Sequence, residues 1–156
     1  MIDSLFRTLF RLAYKVVSMY WRIVDPPRNG TLVGVWFNGR ILITKNSYVD
    51  YFCIPGGYVK KGELPSVAAA RELMEEVGIT VPPSSLVPRP DLTPASEWGH
   101  KNHQISVFEV ILKEPPDIEV DNREVVSAEL LAPEVALRRT LYPLVRRMIE
   151  AHLDER

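Results

Sequence analysis

The chain has 156 residues, a length that allows one domain with a proper core but not two domains of ordinary size. Apolar residues make up 46% and charged residues 25%, which is the composition of a soluble globular protein. The net charge is −1, whereas a general nucleic-acid binder carries a basic excess, so we expect no stable nucleic-acid partner. The only cysteine, Cys53, excludes an internal disulfide and a cysteine-rich metal site, and it fits a reducing, cytoplasmic location.

The first 23 residues predict an amphipathic helix that ends at Asp25-Pro26-Pro27, because proline cannot continue a helix. Polar and cationic side chains share one narrow face of this helix, and the apolar residues cover more than half of the wheel. Its cations interrupt the apolar run too often for a membrane span, and no small-residue cleavage site indicates a signal peptide. The polar face consists of Ser4, Arg7, Thr8, Arg11, Lys15, Ser18 and Arg22.

The apolar side of this helix must be buried, since about 11 large side chains would each forgo ~1.5–3 kcal/mol in water. It can pack on its own domain, on the same helix of a second subunit, or on an anionic membrane surface, which its cations suit. The width of the apolar arc favours a helix held from two directions. We therefore expect a homodimer built partly on residues 1–25, with peripheral membrane contact as the alternative.

A β-hairpin is predicted next, from strands Thr31–Phe37 and Arg40–Lys45. Asn38-Gly39 joins them, and this dipeptide is a strong hairpin signal because both residues tolerate positive φ. A short strand, Tyr51–Ile54, follows and is ended by the loop Pro55-Gly56-Gly57.

The remaining elements alternate between helices and strands. Strong helix formers fill Pro65–Val77, with proline in the first turn and Gly78 placed to cap the C-terminus. Residues 82–102 contain five of the 13 prolines and predict a long surface loop. Mixed strands flanked by helices predict an α/β or α+β sandwich. The last predicted elements are strands His103–Lys113 and Val125–Leu131 and a closing helix, Thr140–Leu153.

Three glutamates of the predicted helix 65–77, namely Glu72, Glu75 and Glu76, lie at i, i+3 and i+4 and so share a face. The opposite face, with Ala69, Ala70, Leu73 and Val77, is expected to pack on the sheet, leaving the acids to face away from the core. Like charges at this spacing repel, and the C-terminal end of a helix disfavours anions. A divalent cation would reverse this penalty, whereas a solvated acidic face is the simpler interpretation.

The segment Gly57–Ile79 resembles the signature of the Nudix hydrolase family. That signature is Gly, five residues, Glu, seven residues, Arg-Glu-aliphatic, one residue, Glu-Glu, one residue and Gly-aliphatic. All nine specified positions are filled. They are Gly57, Glu63, Arg71, Glu72, Leu73, Glu75, Glu76, Gly78 and Ile79.

The resemblance implies a loop–helix–loop that binds a divalent metal, usually Mg²⁺, with Mn²⁺ as an alternative. Glu72, Glu75 and Glu76 match the helical metal-binding and catalytic carboxylates, and Glu63 matches the metal-binding glutamate of the preceding loop. Arg71 matches the arginine that orients the acids, and its i,i+4 spacing to Glu75 favours an ion pair.

The resemblance also implies the chemistry, which is hydrolysis of a diphosphate linkage in a nucleoside diphosphate joined to another group. A cation neutralises the diphosphate oxygens and acidifies a water, and a carboxylate takes the proton from the attacking water. Gly56 and Gly57 are candidates for contact with the substrate phosphates, because glycine lets backbone amides approach an anion.

Outside the signature, we expect an additional catalytic carboxylate from Glu124 rather than Glu97, because Glu124 directly precedes a strand. Trp98 and His100 are candidates for stacking on a base or meeting a phosphate, and Lys45 for a phosphate contact. For each of them, an ordinary exposed residue is the simpler interpretation.

The sequence thus predicts an N-terminal helical extension, 1–25, and a Nudix-type α/β/α sandwich with a mixed sheet, 29–156. A nucleotide-like small molecule is the expected substrate. The competing hypothesis is a Nudix fold that binds a nucleotide as a sensor without cleaving it, although a sensor has no need of every metal ligand.

Overall fold

The computed structural model describes residues 2–24, 28–92 and 103–154. The N-terminal helix α1, Ile2–Val24, ends at the residue before the predicted stop. The other helices are α2, Pro65–Val77, α3, Pro133–Ala136, and α4, Pro143–Asp154. The strands are β1, Arg28–Phe37; β2, Arg40–Asn46; β3, Phe52–Cys53; β4, Gly56–Tyr58; β5, Val87–Pro88; β6, His103–Leu112; and β7, Val125–Leu131.

These strands form one mixed sheet in the order β3-β2-β1-β6-β5, in which β4 also pairs with β1 and β7 also pairs with β2. β1 runs parallel to β6, and the other pairings are antiparallel. The predicted hairpin between β1 and β2 is confirmed. Its turn residues Asn38 and Gly39 have φ of 48° and 72°, the left-handed values that a two-residue hairpin turn requires.

The core lies on both faces of the sheet because side chains alternate along β1. Val33 and Val35 point to the face that α2 covers, where they meet the buried Leu73. Trp36 points to the other face, where it packs in one cluster with Met148 of α4. Helices therefore cover both faces, and the predicted α/β/α sandwich with an N-terminal helix is confirmed.

Among the described residues, the contacts of helix α1 with the rest of the chain come from one side of the helix. Arg11 Nε donates to the carbonyl of Ser47 at 2.8 Å, and the Tyr14 ring lies 4.8 Å from the Tyr48 ring. Arg7 Nε donates to the carbonyl of Asn122 at 2.9 Å. Apolar side chains on the other side of the helix remain exposed, namely Leu5, Leu9, Leu12, Val16, Met19 and Tyr20. Within the described residues, no helix is both long enough and apolar enough to cross a membrane.

The prediction of a plain surface loop over 82–102 is wrong for the part that the structure describes. Strand β5 lies within it and pairs with β6, between 3-10 turns at Pro83–Ser85 and Pro90–Leu92. Leu86 and Leu92 are buried. Proline argues against a central strand, but β5 stands at the sheet edge, where a missing N–H costs little.

Three smaller predictions also need correction. Gly56–Tyr58 is not a loop but the strand β4, whose pairing with β1 depends on a partner distant in sequence. The closing helix begins at Pro143 rather than Thr140, since proline suits the first turn of a helix. The short strand covers Phe52–Cys53 only.

Candidate active site

Arg71 is the centre of the candidate site. Its Nε lies 3.0 Å from Oε1 of Glu63, and its Nη1 lies 2.7 Å from Oε1 of Glu72 and 3.0 Å from Oε2 of Glu75. Its Nη2 also donates to the carbonyl of Tyr58 at 2.9 Å. One guanidinium therefore connects the helix acids with the loop that precedes α2, and it includes the i,i+4 pair anticipated from the sequence.

Glu63 is fixed by this network in its ionised form. It also accepts a hydrogen bond from the amide of Lys60 at 2.9 Å. The hydrogen bonds from Arg71 and from that amide lower the pKa of Glu63 to about 2. Glu63 therefore carries its negative charge throughout the neutral pH range, beside the helix acids.

Gly57 brings the backbone of β4 against the carboxyl group of Glu72. A Cβ built at Gly57 would lie 2.5 Å from the Glu72 carboxyl carbon, so any larger residue would displace the acid. Glu72 is partly buried, and its pKa is raised because burial disfavours the charged form more than Arg71 favours it. Glycine is thus needed at position 57 because there is no space for a side chain, and not because of its backbone conformation.

Glu76 corrects the expectation that all three helix acids face away from the core. Its side chain is buried between α2 and the start of β4, where a carboxylate oxygen accepts a hydrogen bond from the Gly56 amide at 3.0 Å. Burial and the nearby charges of Glu124 and Glu72 raise the pKa of Glu76 to about 8. A helical wheel alone could not show this, because β4 closes over the helix face.

The structure brings Glu124 to this acid cluster and holds it from three directions. Its carboxylate accepts a hydrogen bond from the Tyr48 hydroxyl at 2.8 Å, and its carbonyl accepts one from the Ser47 amide at 2.7 Å. Its own amide donates to the side chain of Asp121 at 3.1 Å. The charge of Glu124 raises the pKa of both Glu72 and Glu76, which places it within electrostatic reach of them.

Tyr48 and Asp121 are the residues that sequence reasoning missed. Tyr48 follows β2, and Asp121 precedes β7 by four positions, with its carboxylate accepting hydrogen bonds from the amides of Arg123, Glu124 and Val125. They meet at the site only because β2 pairs with β7. Nothing local to either residue in the sequence indicates that pairing.

The remaining candidates lie in different places. The Gly56 amide donates its hydrogen bond to Glu76, so it is not available to a substrate phosphate. The Lys45 ammonium donates to the carbonyl of Val49, and its side chain lines a separate cleft with Arg7, Arg11 and Lys15 rather than the acid cluster. Glu97, Trp98 and His100 lie outside the described residues.

The carboxylates are not gathered into a preformed metal cage. Among the described residues, no group of three or more side chains of metal-ligating type stands ready to hold an ion. Arg71 accounts for this, since it draws Glu63, Glu72 and Glu75 toward its own guanidinium.

Comparison with known proteins gives a family and a fold. The family model of the NUDIX domain matches residues 27–152. A search of curated proteins finds no match. Among solved structures, the chain is similar to an E. coli dihydroneopterin triphosphate pyrophosphohydrolase, with 22% identity and a TM-score of 0.66 over 84% of this chain and 99% of that one.

Two further solved structures share the fold. A C. elegans Ap4A hydrolase has 21% identity and a TM-score of 0.62 over 83% of this chain and 99% of that one. A Francisella tularensis bifunctional NMN adenylyltransferase/ADP ribose pyrophosphatase has 16% identity and a TM-score of 0.65 over 96% of this chain and 47% of that one. The family model covers most of the chain and every position of the Gly57–Ile79 signature is filled, so the chain belongs to the Nudix hydrolase family.

Proposed function

We propose that this protein hydrolyses a diphosphate linkage in a nucleotide-like substrate and that it needs a divalent cation, Mg²⁺ or Mn²⁺, to do so. The observation that carries the proposal is that Glu63, Glu72 and Glu75 pair with one arginine, and that the same helix buries the carboxyl group of Glu76. Similar folds named for a triphosphate, Ap4A and ADP ribose agree with this substrate class.

The donor set fits such a cation. Carboxylate oxygens are the ligands that Mg²⁺ prefers, and Glu76 is a buried acid whose charge is disfavoured in the absence of a partner. The cation would be held by Glu72, Glu75 and Glu76, with Glu63 as a further ligand. That cation would have to replace Arg71 as the partner of at least some of these acids.

The bound cation would supply neutralisation of the diphosphate charge and acidification of the attacking water. Arg71 holds Glu63, Glu72 and Glu75 together, and the Gly56 amide at the start of β4 orients the carboxyl group of Glu76. We assign proton removal from the attacking water to Glu124, whose carboxylate is oriented by the Tyr48 hydroxyl. Gly57 allows the Glu72 carboxyl group to lie against the backbone of β4 because it carries no side chain.

A sensor that binds a nucleotide without cleaving it is the alternative function. It would use the same cleft, but it would gain nothing from a buried glutamate that opposes its own ionisation. The retained acids therefore favour the hydrolase.

The single cysteine supports the further proposal of a reducing, cytoplasmic location.

Replacing Glu76 by Gln should lower kcat by about 10²–10⁴-fold, since the amide keeps the shape but removes the charge. Wild-type protein in excess EDTA should be equally inactive. Steady-state hydrolysis of a panel of diphosphate compounds with Mg²⁺ measures both effects, with Glu134→Gln on α3 as the control. Near-native turnover in Glu76→Gln, or in EDTA, would contradict the assignment.

Glu124→Gln should lower kcat by a comparable factor while KM changes little, because the amide cannot accept the proton from water. Tyr48→Phe should cause a smaller loss, since it removes only the hydroxyl that orients the carboxylate. Glu97→Gln should have less effect than Glu124→Gln, and equal or reversed losses would show that the wrong acid was chosen.

Metal-free protein should become less stable as pH rises from about 5 to 8. The pKa of Glu76 is raised to about 8 in the folded state, so the native state holds a proton that the unfolded state has already released. The contribution of Glu76 to the free energy of unfolding is therefore fully present below the pKa that this group has in the unfolded chain. It is lost as the pH rises to about 8. Thermal unfolding in EDTA at several pH values measures this slope.

The Glu76→Gln variant should flatten that slope and melt at least about 2–4 °C above wild type at pH 8, the shift that ~1 kcal/mol produces in a chain of this size. Glu134→Gln should keep the wild-type slope. Identical slopes in wild type and Glu76→Gln would show that Glu76 is not held protonated by its surroundings.

We also propose that α1 pairs with the same helix of a second subunit. Its exposed apolar side chains are spaced by 4, 3, 4 and 3 residues, which is the a/d pattern of paired helices, and they are 57–71% exposed. Membrane contact is less favoured, because Arg7 and Arg11 donate to carbonyls of their own domain. The side chains of this stripe are Leu5, Leu9, Leu12, Val16 and Met19.

Leu12→Glu should convert a dimer into a folded monomer, since the charge would be buried between two helices. Val135→Glu, an exposed valine on α3, should leave the mass unchanged. Light scattering at micromolar concentration measures the mass. A wild-type monomer, or a Leu12→Glu dimer, would contradict the pairing; liposome binding that disappears on deletion of residues 1–24 would support the membrane instead.

A further inference from the structure

A basic cleft lies between α1 and residues 45–50, and none of the signature carboxylates lines it. Its volume is about 420 Å³. Small-molecule sites usually occupy ~300–1,000 Å³, so the cleft has room for a small ligand. Among the described residues that line it, Asp50 is the only acid. Its basic side chains are Arg7, Arg11 and Lys15 from α1 and Lys45 from β2.

The three cations of α1 share one face of the helix at an electrostatic cost. Arg7, Arg11 and Lys15 lie at i, i+4 and i+8, and like charges at this spacing repel. Both guanidinium groups donate through Nε to backbone carbonyls, at 2.9 and 2.8 Å, and the Lys45 ammonium also donates to a carbonyl. A carbonyl oxygen accepts these hydrogen bonds but has no net charge. The four cations and the one acid therefore leave a charge of +3, which a bound anion would offset.

Ser47 is a second, independent indication of a ligand in this cleft. It lines the cleft, is only 7% exposed, and its hydroxyl has no hydrogen-bond partner among the described residues. A buried hydroxyl without a partner costs free energy, and folded proteins retain few of them. The Ser47 carbonyl accepts the hydrogen bond from Arg11, which keeps that guanidinium beside the same residue. An anion with several acceptor oxygens would give the hydroxyl the partner that it lacks.

The charge and the donors of the cleft together favour a phosphate-bearing anion. A phosphate monoester carries about −1.5 to −2 at neutral pH and has several strong acceptor oxygens. Arginine forms paired hydrogen bonds with such oxygens, and lysine supplies a point charge. A single carboxylate would offset only a third of the charge of +3 in the cleft, whereas pyrophosphate or a phosphate monoester offsets most of it.

The orientation of α1 favours a soluble anion over the headgroup of a membrane lipid. The exposed apolar stripe from Leu5 to Met19 lies on a different side of the helix from its cations. At ~100° per residue, the centre of the stripe is about 120° from the centre of the three cations. A bilayer that took up the stripe would therefore leave the cations facing their own domain.

We propose that the basic cleft is a second binding site, which takes a soluble phosphate-bearing anion such as pyrophosphate or a phosphate monoester and so fastens α1 to the rest of the chain. The site goes beyond the proposed hydrolase function, because it needs neither the divalent cation nor the acids around Arg71. Lys45, for which the sequence predicts a phosphate contact, would meet that phosphate here.

Calorimetric titration of the metal-free full chain with sodium pyrophosphate in EDTA tests the site, since the acid cluster without a cation repels an anion. We expect saturable binding of one anion per chain and a melting temperature that rises with occupancy. Arg11→Gln and Lys15→Gln should each weaken binding by about tenfold or more, because each removes a charged donor. Arg138→Gln, an exposed arginine that follows α3, should leave the affinity unchanged.

Ser47→Ala separates a role in binding from a role in folding. Without an anion, the variant should melt at or above the wild-type temperature, because alanine removes an unpartnered polar group. With pyrophosphate it should gain less stability than wild type, since no hydroxyl is left to donate to the anion. If Arg11→Gln fails to fold, Lys15→Gln and Ser47→Ala decide the test.

The source of the anion is tested with vesicles of phosphatidic acid and phosphatidylcholine. Sedimentation with these vesicles by a chain that does not bind pyrophosphate would assign the cleft to a lipid headgroup and overturn the proposal. Binding that needs Mg²⁺, an equal loss in Arg138→Gln, or the same stabilisation by sodium chloride at matched ionic strength would also overturn it. A chain that binds pyrophosphate in EDTA but hydrolyses no diphosphate would reject the proposed function and leave this site intact.

Discussion

The guanidinium of Arg71 joins three carboxylates that would otherwise repel one another, and it connects them to the end of β4. It binds Glu63 from the loop, Glu72 and Glu75 from α2, and the carbonyl of Tyr58 at the end of β4. Hydrogen bonds to an ionised group are roughly twice as strong as neutral ones, so this network fixes the loop on the helix. Arg71 itself neutralises part of the charge of Glu63, Glu72 and Glu75, so these acids are held together around the guanidinium and, among the described residues, do not form a ready metal site.

Glu76, in contrast to these three acids, is buried and makes no described contact with Arg71. Its hydrogen bond from the Gly56 amide offsets only part of the cost of burial, and its pKa is accordingly raised. An acid in this position lowers the stability of the empty protein near neutral pH. That cost is understandable in an active site, where strained or desolvated groups serve function rather than folding.

The described contacts of helix α1 connect it to two segments beside the same site. Arg11 and Tyr14 reach residues 47–48, and Arg7 reaches Asn122, while Tyr48 in turn holds Glu124. One side of α1 therefore faces the acid that we assign to proton transfer, and the other carries the exposed apolar stripe for which we propose a second subunit as the partner. A helix with two such sides explains why its apolar arc is wider than a single buried face requires.

The local sequence determined the elements whose signals lie within a few residues. Proline after Asp25 stopped α1, Asn38-Gly39 specified the hairpin turn, and the run Pro65–Val77 specified α2 with its glutamates at helical spacing. The resemblance over Gly57–Ile79 added the family and the fold. These features are encoded locally, because turn chemistry, capping and helical periodicity depend on neighbours in the chain.

Only the tertiary structure decided which acids are buried and which residues meet. β4 paired with β1 and covered Glu76, β5 found an edge position despite its proline, and the pairing of β2 with β7 brought Tyr48 to Glu124. Each of these depends on contacts between segments tens of residues apart, for which a single sequence contains no local signal. The contacts of α1 with residues 47–48 and Asn122 belong to the same class, because an amphipathic pattern predicts that a helix packs but not what it packs against.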